Sequence, residues 1–163
     1  MRAHEFLNEV QAGAWRALRA MVPRHWPDYV VKDWLYTQFS NPEQVTNKRK
    51  LVQWVLERYP VKQWRLETLN LGYHSFDAHT QKMLMLRAQE PDYGSKHFLV
   101  PRDAERHAAQ ANLIKQTGQA NQEPIIVIYR KDGYELVEGW HRTAQNVKAF
   151  PNGWRGRAWV GYT

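Results

Sequence analysis

The chain has 163 residues, 43% of them hydrophobic and 24% charged, which suits a folded protein with one real core and room for a modest extra lobe. It contains no cysteine, so disulfides, thiolate metal sites and thiol chemistry are excluded together, and no apolar run reaches the length of a membrane span. The formal net charge of +7 favours an anionic partner such as nucleic acid or a nucleotide.

Residues 3 to 21 carry Phe6, Val10, Ala14, Leu18 and Met21 at helical spacing, without the apolar stretch of a signal peptide. The expectation is a soluble, cytoplasmic protein that opens on an amphipathic helix stopped by Pro23. Pro27 and Asp28 begin a second helix with Val31, Trp34, Leu35 and Phe39 on its apolar stripe. Asn41 to Gln44 reads as a short capped turn, and Leu51, Val55 and Tyr59 mark a third helix ending before Pro60. Lys48, Arg49 and Lys50 form a basic cluster that a solvated helix face explains more simply than a nucleic-acid contact. A helix-turn-helix over 27 to 59 is a weak second reading. Eight tryptophans serve packing, base stacking or a partner surface.

The character changes near residue 60, which divides an N-terminal helical region, 1–60, from a second region, 61–163. Trp64 to Leu71 predicts a strand, and Gly72 to Thr80 a loop. Lys82 to Arg87 fits a short strand or a helix, and Glu90 to Lys96 is again loop-like. His74, Asp77 and His79 can be drawn as a metal site, but nothing orients them, and loop solubility is the better account; no metal ligand is assigned. Pro101 and Arg102 open a helix running to Lys115 and Gly118, with Ala104, Ala108, Ala111 and Ile114 expected inward and Arg102, Arg106, His107 and Gln110 outward. Of the outward set, Arg106 is the one most suited to the rim of an anionic ligand.

Ile125 to Tyr129 is the most strand-like run in the chain. Lys131-Asp132-Gly133 turns it, and Tyr134 to Glu138 completes a hairpin. Gly139 ends that strand, a helix follows from His141 to Phe150, and Trp154 to Tyr162 predicts a last short strand interrupted by its glycines. From Gly139 onward there are Arg142, Lys148, Arg155 and Arg157 and no acidic residue. A glycine-led turn at a helix start, flanked by an imidazole and a guanidinium, is suited to holding a phosphate.

The order of Glu123-Pro124-Ile125-Ile126-Val127, then Gly133-Tyr134-Glu135-Leu136-Val137-Glu138-Gly139, then His141-Arg142 and Ala144 resembles the ParB/sulfiredoxin superfamily over residues 101–149. The resemblance implies a small α/β (α+β) fold, a mixed sheet with helices, with a nucleotide or phosphate site at the Gly139 to Thr143 turn. It also implies a nucleoside triphosphate cofactor, ATP or CTP with Mg²⁺. Sulfiredoxins carry a catalytic cysteine where this chain has Trp140, so sulfinic-acid reduction is excluded while ATP binding is not. Chromosome-partition ParB proteins have an acidic residue at Trp140 and arginine at His141, which weakens the case for metal-assisted triphosphate hydrolysis. Free-standing ParB-like proteins, often encoded by phages and plasmids, are similar in size and composition, and superfamily members include nucleases, kinases and DNA-modification accessories.

Each residue of the turn has two readings. Arg142 clamps phosphate oxygens or pairs with Glu138 or Glu135. His141 serves as phosphate donor or general acid or base, or caps the turn. Thr143 offers a hydroxyl to the anion or to the helix end, and Trp140 stacks on a base or packs inward. Glu138 positions a metal or water, although the motif supplies one carboxylate where a two-metal nuclease needs more. The expected catalytic set is therefore His141, Arg142 and Glu138, and the expected binding set is Gly139, Trp140, His141, Arg142, Thr143 and Arg106. The leading function is a ParB-like phosphate-binding protein acting on nucleic acid or nucleotides, as a nuclease or modification accessory. The alternative is a non-enzymatic DNA-binding or protein-interaction module on the same fold.

Overall fold

The computed structural model describes the backbone of residues 3–37 and 48–163, and the side chains of 12–37 and 48–163. The chain is of the mixed α+β class and divides into two compact units, Met1–Gln63 and Trp64–Thr163. Among the described residues no helix is long and apolar enough to cross a membrane.

The first unit is helical. It contains α1 (Ala3–Ala20), α2 (Asp28–Val30) running on as a π-helical segment (Val31–Tyr36), and α3 (Lys48–Arg58). Leu18, Val22, Val30, Val31, Leu35, Val52 and Val55 are buried with Trp26 and Trp34. The Trp26 and Trp34 rings stack at 5.9 Å, and Tyr59 meets Trp34 edge-on at 5.2 Å, so these aromatics serve packing. The turn after α1 is fastened by Arg19, which donates to the carbonyls of Arg24 and Trp26 and pairs with Asp28 at 3.0 Å. Lys48, Arg49 and Lys50 are exposed at the start of α3. Phe39 and the expected turn at 41–44 lie outside the described residues.

The second unit is built on a four-stranded mixed sheet in the order β1-β4-β2-β3. Its strands are β1 (Gln63–Leu71), β2 (Ile125–Ile128), β3 (Glu135–Glu138) and β4 (Trp154–Tyr162). The apolar run of β2 lies inside the sheet, antiparallel to β3 with Val127 opposite Leu136, and parallel to β4 with Val127 opposite Val160. All four β2 residues are buried, which explains why the run shows no polar alternation. The helices are α4 (Ala78–Gln89), α5 (Tyr93–Phe98), α6 (Asp103–Thr117) and α7 (Trp140–Ala149). Helix α7 packs against both α4 and α6, and Leu84, Ala144, Phe76 and Leu136 join the sheet residues in one core.

Three stretches depart from the sequence expectations. Residues 78–80 belong to α4, because Asp77 caps it by accepting from the Thr80 N–H at 2.8 Å. Residues 93–98 are helical, not loop. The last strand is nine residues long and unbroken, because it lies between β1 and β2 and gains a ladder on each side.

Tyr162 on β4 donates its phenol to Glu67 Oε2 at 2.6 Å, and burial together with that bond pushes its pKa up to about 12. The fold therefore favours the neutral phenol. Its contribution is complete below the ordinary value of 10.0 and is lost as pH rises from there through about 12. Tyr162→Phe should flatten the loss of stability across that window in urea unfolding at stepped alkaline pH, and an unchanged profile would contradict this.

Candidate functional site

The turn between β3 and α7 is set by Gly139, whose φ of 99° lies in the left-handed region. The glycine sits directly on Ile125: a Cβ there would fall 2.7 Å from Ile125 Cγ2 and 3.2 Å from an Arg142 guanidinium nitrogen. The first turn of α7 is closed by Thr143, whose amide and hydroxyl both donate to the Gly139 carbonyl, at 2.9 and 2.8 Å. Thr143 is fully buried, so its hydroxyl fixes the turn and does not face a ligand.

Beside this turn lies a cleft of about 130 Å³ walled by Arg106, Ala109 and Gln110 of α6, by Glu138 and Gly139, and by His141 and Arg142 of α7. Two arginines from different helices and one glutamate thus line the same cleft. Arg142 is anchored by donating to the Pro124 carbonyl at 3.1 Å, which ties α7 to the entrance of β2. Arg142 also lines the cleft, so the residue is both strut and wall. Trp140 turns away from the cleft: its ring packs against the core and lies under the Arg87 guanidinium, 4.8 Å from the ring centre.

The inward face of α6 is the main correction to the sequence reading. Ala104, Ala108 and Ala111 are exposed, whereas Asp103 and His107 are buried and Arg106, Gln110 and Ile114 are half-buried. The helix therefore turns a polar stripe to α7. The reason is a buried network. Asp103 Oδ1 lies 2.7 Å from His141 Nε2 and 3.6 Å from His107 Nε2, and the two imidazoles meet edge-on at 4.6 Å. Asp103 Oδ2 accepts the Ser95 N–H at 3.1 Å, and the Gln145 amide meets His107 Nδ1 at 3.1 Å. Gly94 permits this packing, since a Cβ there would stand 2.8 Å from Asp103 Oδ2 and 3.1 Å from Arg87 Nη1.

Electrostatics keep both histidines neutral. Burial, then Arg106 and His107, pulls His141 down to about 4, outweighing the hydrogen bond to Asp103 that acts in the other direction. Burial also lowers His107, with Arg87, Arg106 and Lys148 adding to it against Asp103. A neutral His141 facing both a buried carboxylate and a cationic cleft can accept a proton or orient a bound group.

The structure thus brings Arg106, Glu138, Gly139, His141 and Arg142 to one cleft and places Trp140 and Thr143 behind it. It adds Asp103, Gln145 and Arg87, which the sequence does not single out, and His107, which the sequence pattern places on the outward face. The available signal was the four-residue spacing of Asp103 and His107, which puts both on one helix face. No family model, curated protein or solved structure matches this chain.

Proposed function

We propose that the chain is a cytoplasmic ParB-like phosphate-binding protein acting on nucleic acid or nucleotides. One observation carries this reading: Arg106 and Arg142, from two different helices, wall the same cleft as His141 beside the Gly139 turn. Guanidinium groups match phosphate oxygens by their planar fork, and they remain charged in any environment. The cleft is well below the roughly 300–1,000 Å³ of pockets that engulf a drug-sized ligand, so it suits a phosphoryl group with the rest of the ligand outside. The net charge of +7 adds a long-range attraction for such ligands.

Within this reading His141 is the proton-handling residue and Glu138 the carboxylate available to orient water or Mg²⁺ of a bound ATP or CTP, as in a nuclease or a DNA-modification accessory. Trp140 serves packing, its ring engaged by Arg87 and the core.

A thermal-shift screen over inorganic phosphate, nucleotides and short DNA, with and without Mg²⁺, tests the reading. A ligand at a hundred times its Kd adds about 2.7 kcal/mol to the folded state. That corresponds to a rise in Tm of roughly 5–10 °C for a chain of this size. Stabilisation by at least one phosphate-bearing ligand is expected, and a flat response across the whole set would refute it.

A further inference from the structure

We infer that Asp103, His107 and His141 form a site for one divalent first-row transition ion, with Asp103 Oδ1 and the two imidazole Nε2 atoms as its protein ligands. One carboxylate and two imidazoles are a donor set that such ions take in preference to Ca²⁺ or Mg²⁺, which favour oxygen alone. The three residues each offer a ligand atom within 4.8 Å of the other two, and all three are buried.

The rest of the network holds the outer faces of Asp103 and His107 and leaves the inner ones to converge. Ser95 N–H takes Asp103 Oδ2, so Oδ1 is the oxygen turned to both rings. The Gln145 amide takes His107 Nδ1. The amide nitrogen faces Nδ1 here; turning the Gln145 amide over, so that its oxygen accepts from Nδ1–H, leaves the lone pair on Nε2, the arrangement that usually supports a metal-bound histidine. His107 is only 2% exposed, and its Nε2 has no hydrogen-bond partner. A buried ring nitrogen without a partner, aimed at a carboxylate oxygen 3.6 Å away, is costly unless something else satisfies it.

Ligands at about 2.0–2.2 Å around a tetrahedral ion stand about 3.3–3.6 Å apart. The Asp103 to His107 separation already meets this. The Asp103 to His141 contact must open, and the two imidazoles close, by about an ångström or somewhat more, which side-chain rotation supplies. Arg87 and Arg106 repel a cation, but Arg106 also helps keep both imidazoles, and Arg87 that of His107, in the neutral, ligating form. His141 belongs both to this cluster and to the wall of the cleft, so it marks the route of entry and the side on which a coordination position would stay open. The inference does not rest on phosphate binding and is tested with no phosphate present.

The probe is Co²⁺, added to the chelator-treated full chain and followed by visible absorption and by paramagnetic effects on backbone amides. One equivalent should bind, be displaced by Zn²⁺, and broaden signals centred on residues 103–107 and 141–145. His107→Gln should lower the affinity at least tenfold. No saturable one-to-one uptake would overturn the inference. So would broadening centred on the other histidines, such as His74, His79 or His97, or undiminished affinity in a folded His107→Gln chain. Should that variant fail to fold, the map of broadening in the unaltered chain decides alone.

Discussion

Asp103→Ala should lower the stability of the protein by about 3–5 kcal/mol, the cost expected when one member of a buried charged network is removed. The side chain of Asp103 is fully buried, and it is the leading anionic influence on Arg87, an arginine only 6% exposed. Truncation would strand that charge, the Ser95 N–H and His141 Nε2 at once. Asp103→Asn keeps the shape and an oxygen for Ser95 but loses the charge, so it should fall between the two. Urea unfolding of the three chains, with a chelator present throughout, measures both differences; an alanine variant within about 1 kcal/mol of the parent would show that the network is not what holds α6 to α7.

Gly139→Ala should cost about 2–5 kcal/mol and also disturb the cleft. An L-residue in the left-handed region loses about 1–2 kcal/mol. The added methyl also meets Ile125 Cγ2 at 2.7 Å, in a core where overpacking costs about 1–3 kcal/mol. Ile125 is pinned in the sheet by its pairing with β4, so the turn must move instead. A shift of the turn displaces Arg142 from the Pro124 carbonyl and with it one cationic wall. The same unfolding measurement checks the stability loss, and a change below about 1 kcal/mol would contradict the account. Because Arg142 is itself a strut, Arg142→Ala should also destabilise, which makes Arg106 the better probe of binding.

The elements nearest the cleft were the most legible. Ile125 to Ile128 declares a buried strand by its β-branched run, and Gly133 and Gly139 announce the turns on either side of β3. The residues of the cleft wall could be named because they cluster in a six-residue motif and in one helix. What could not be read was the inward face of α6. Alanine periodicity points one way, but the helix turns Asp103 and His107 inward, because a complementary carboxylate–imidazole network offsets the loss of apolar burial. That partnership joins residues 38 positions apart, and no local pattern encodes it. Helix α5 was missed for a related reason: six residues containing Gly94 and Ser95 have little intrinsic helicity, and Gly94 is there for the close approach of Asp103 and Arg87.

The cleft beside Gly139 is proposed to hold phosphate through Arg106. A titration of the parent chain and of Arg106→Gln with a nucleoside triphosphate and with a short oligonucleotide, at one fixed salt concentration, addresses it directly. A charge-assisted hydrogen bond contributes about 1.5–3 kcal/mol, so the variant should bind at least about tenfold more weakly while unfolding at the same denaturant concentration. Equal affinities for parent and variant, or no binding of either ligand by the parent, would contradict the account.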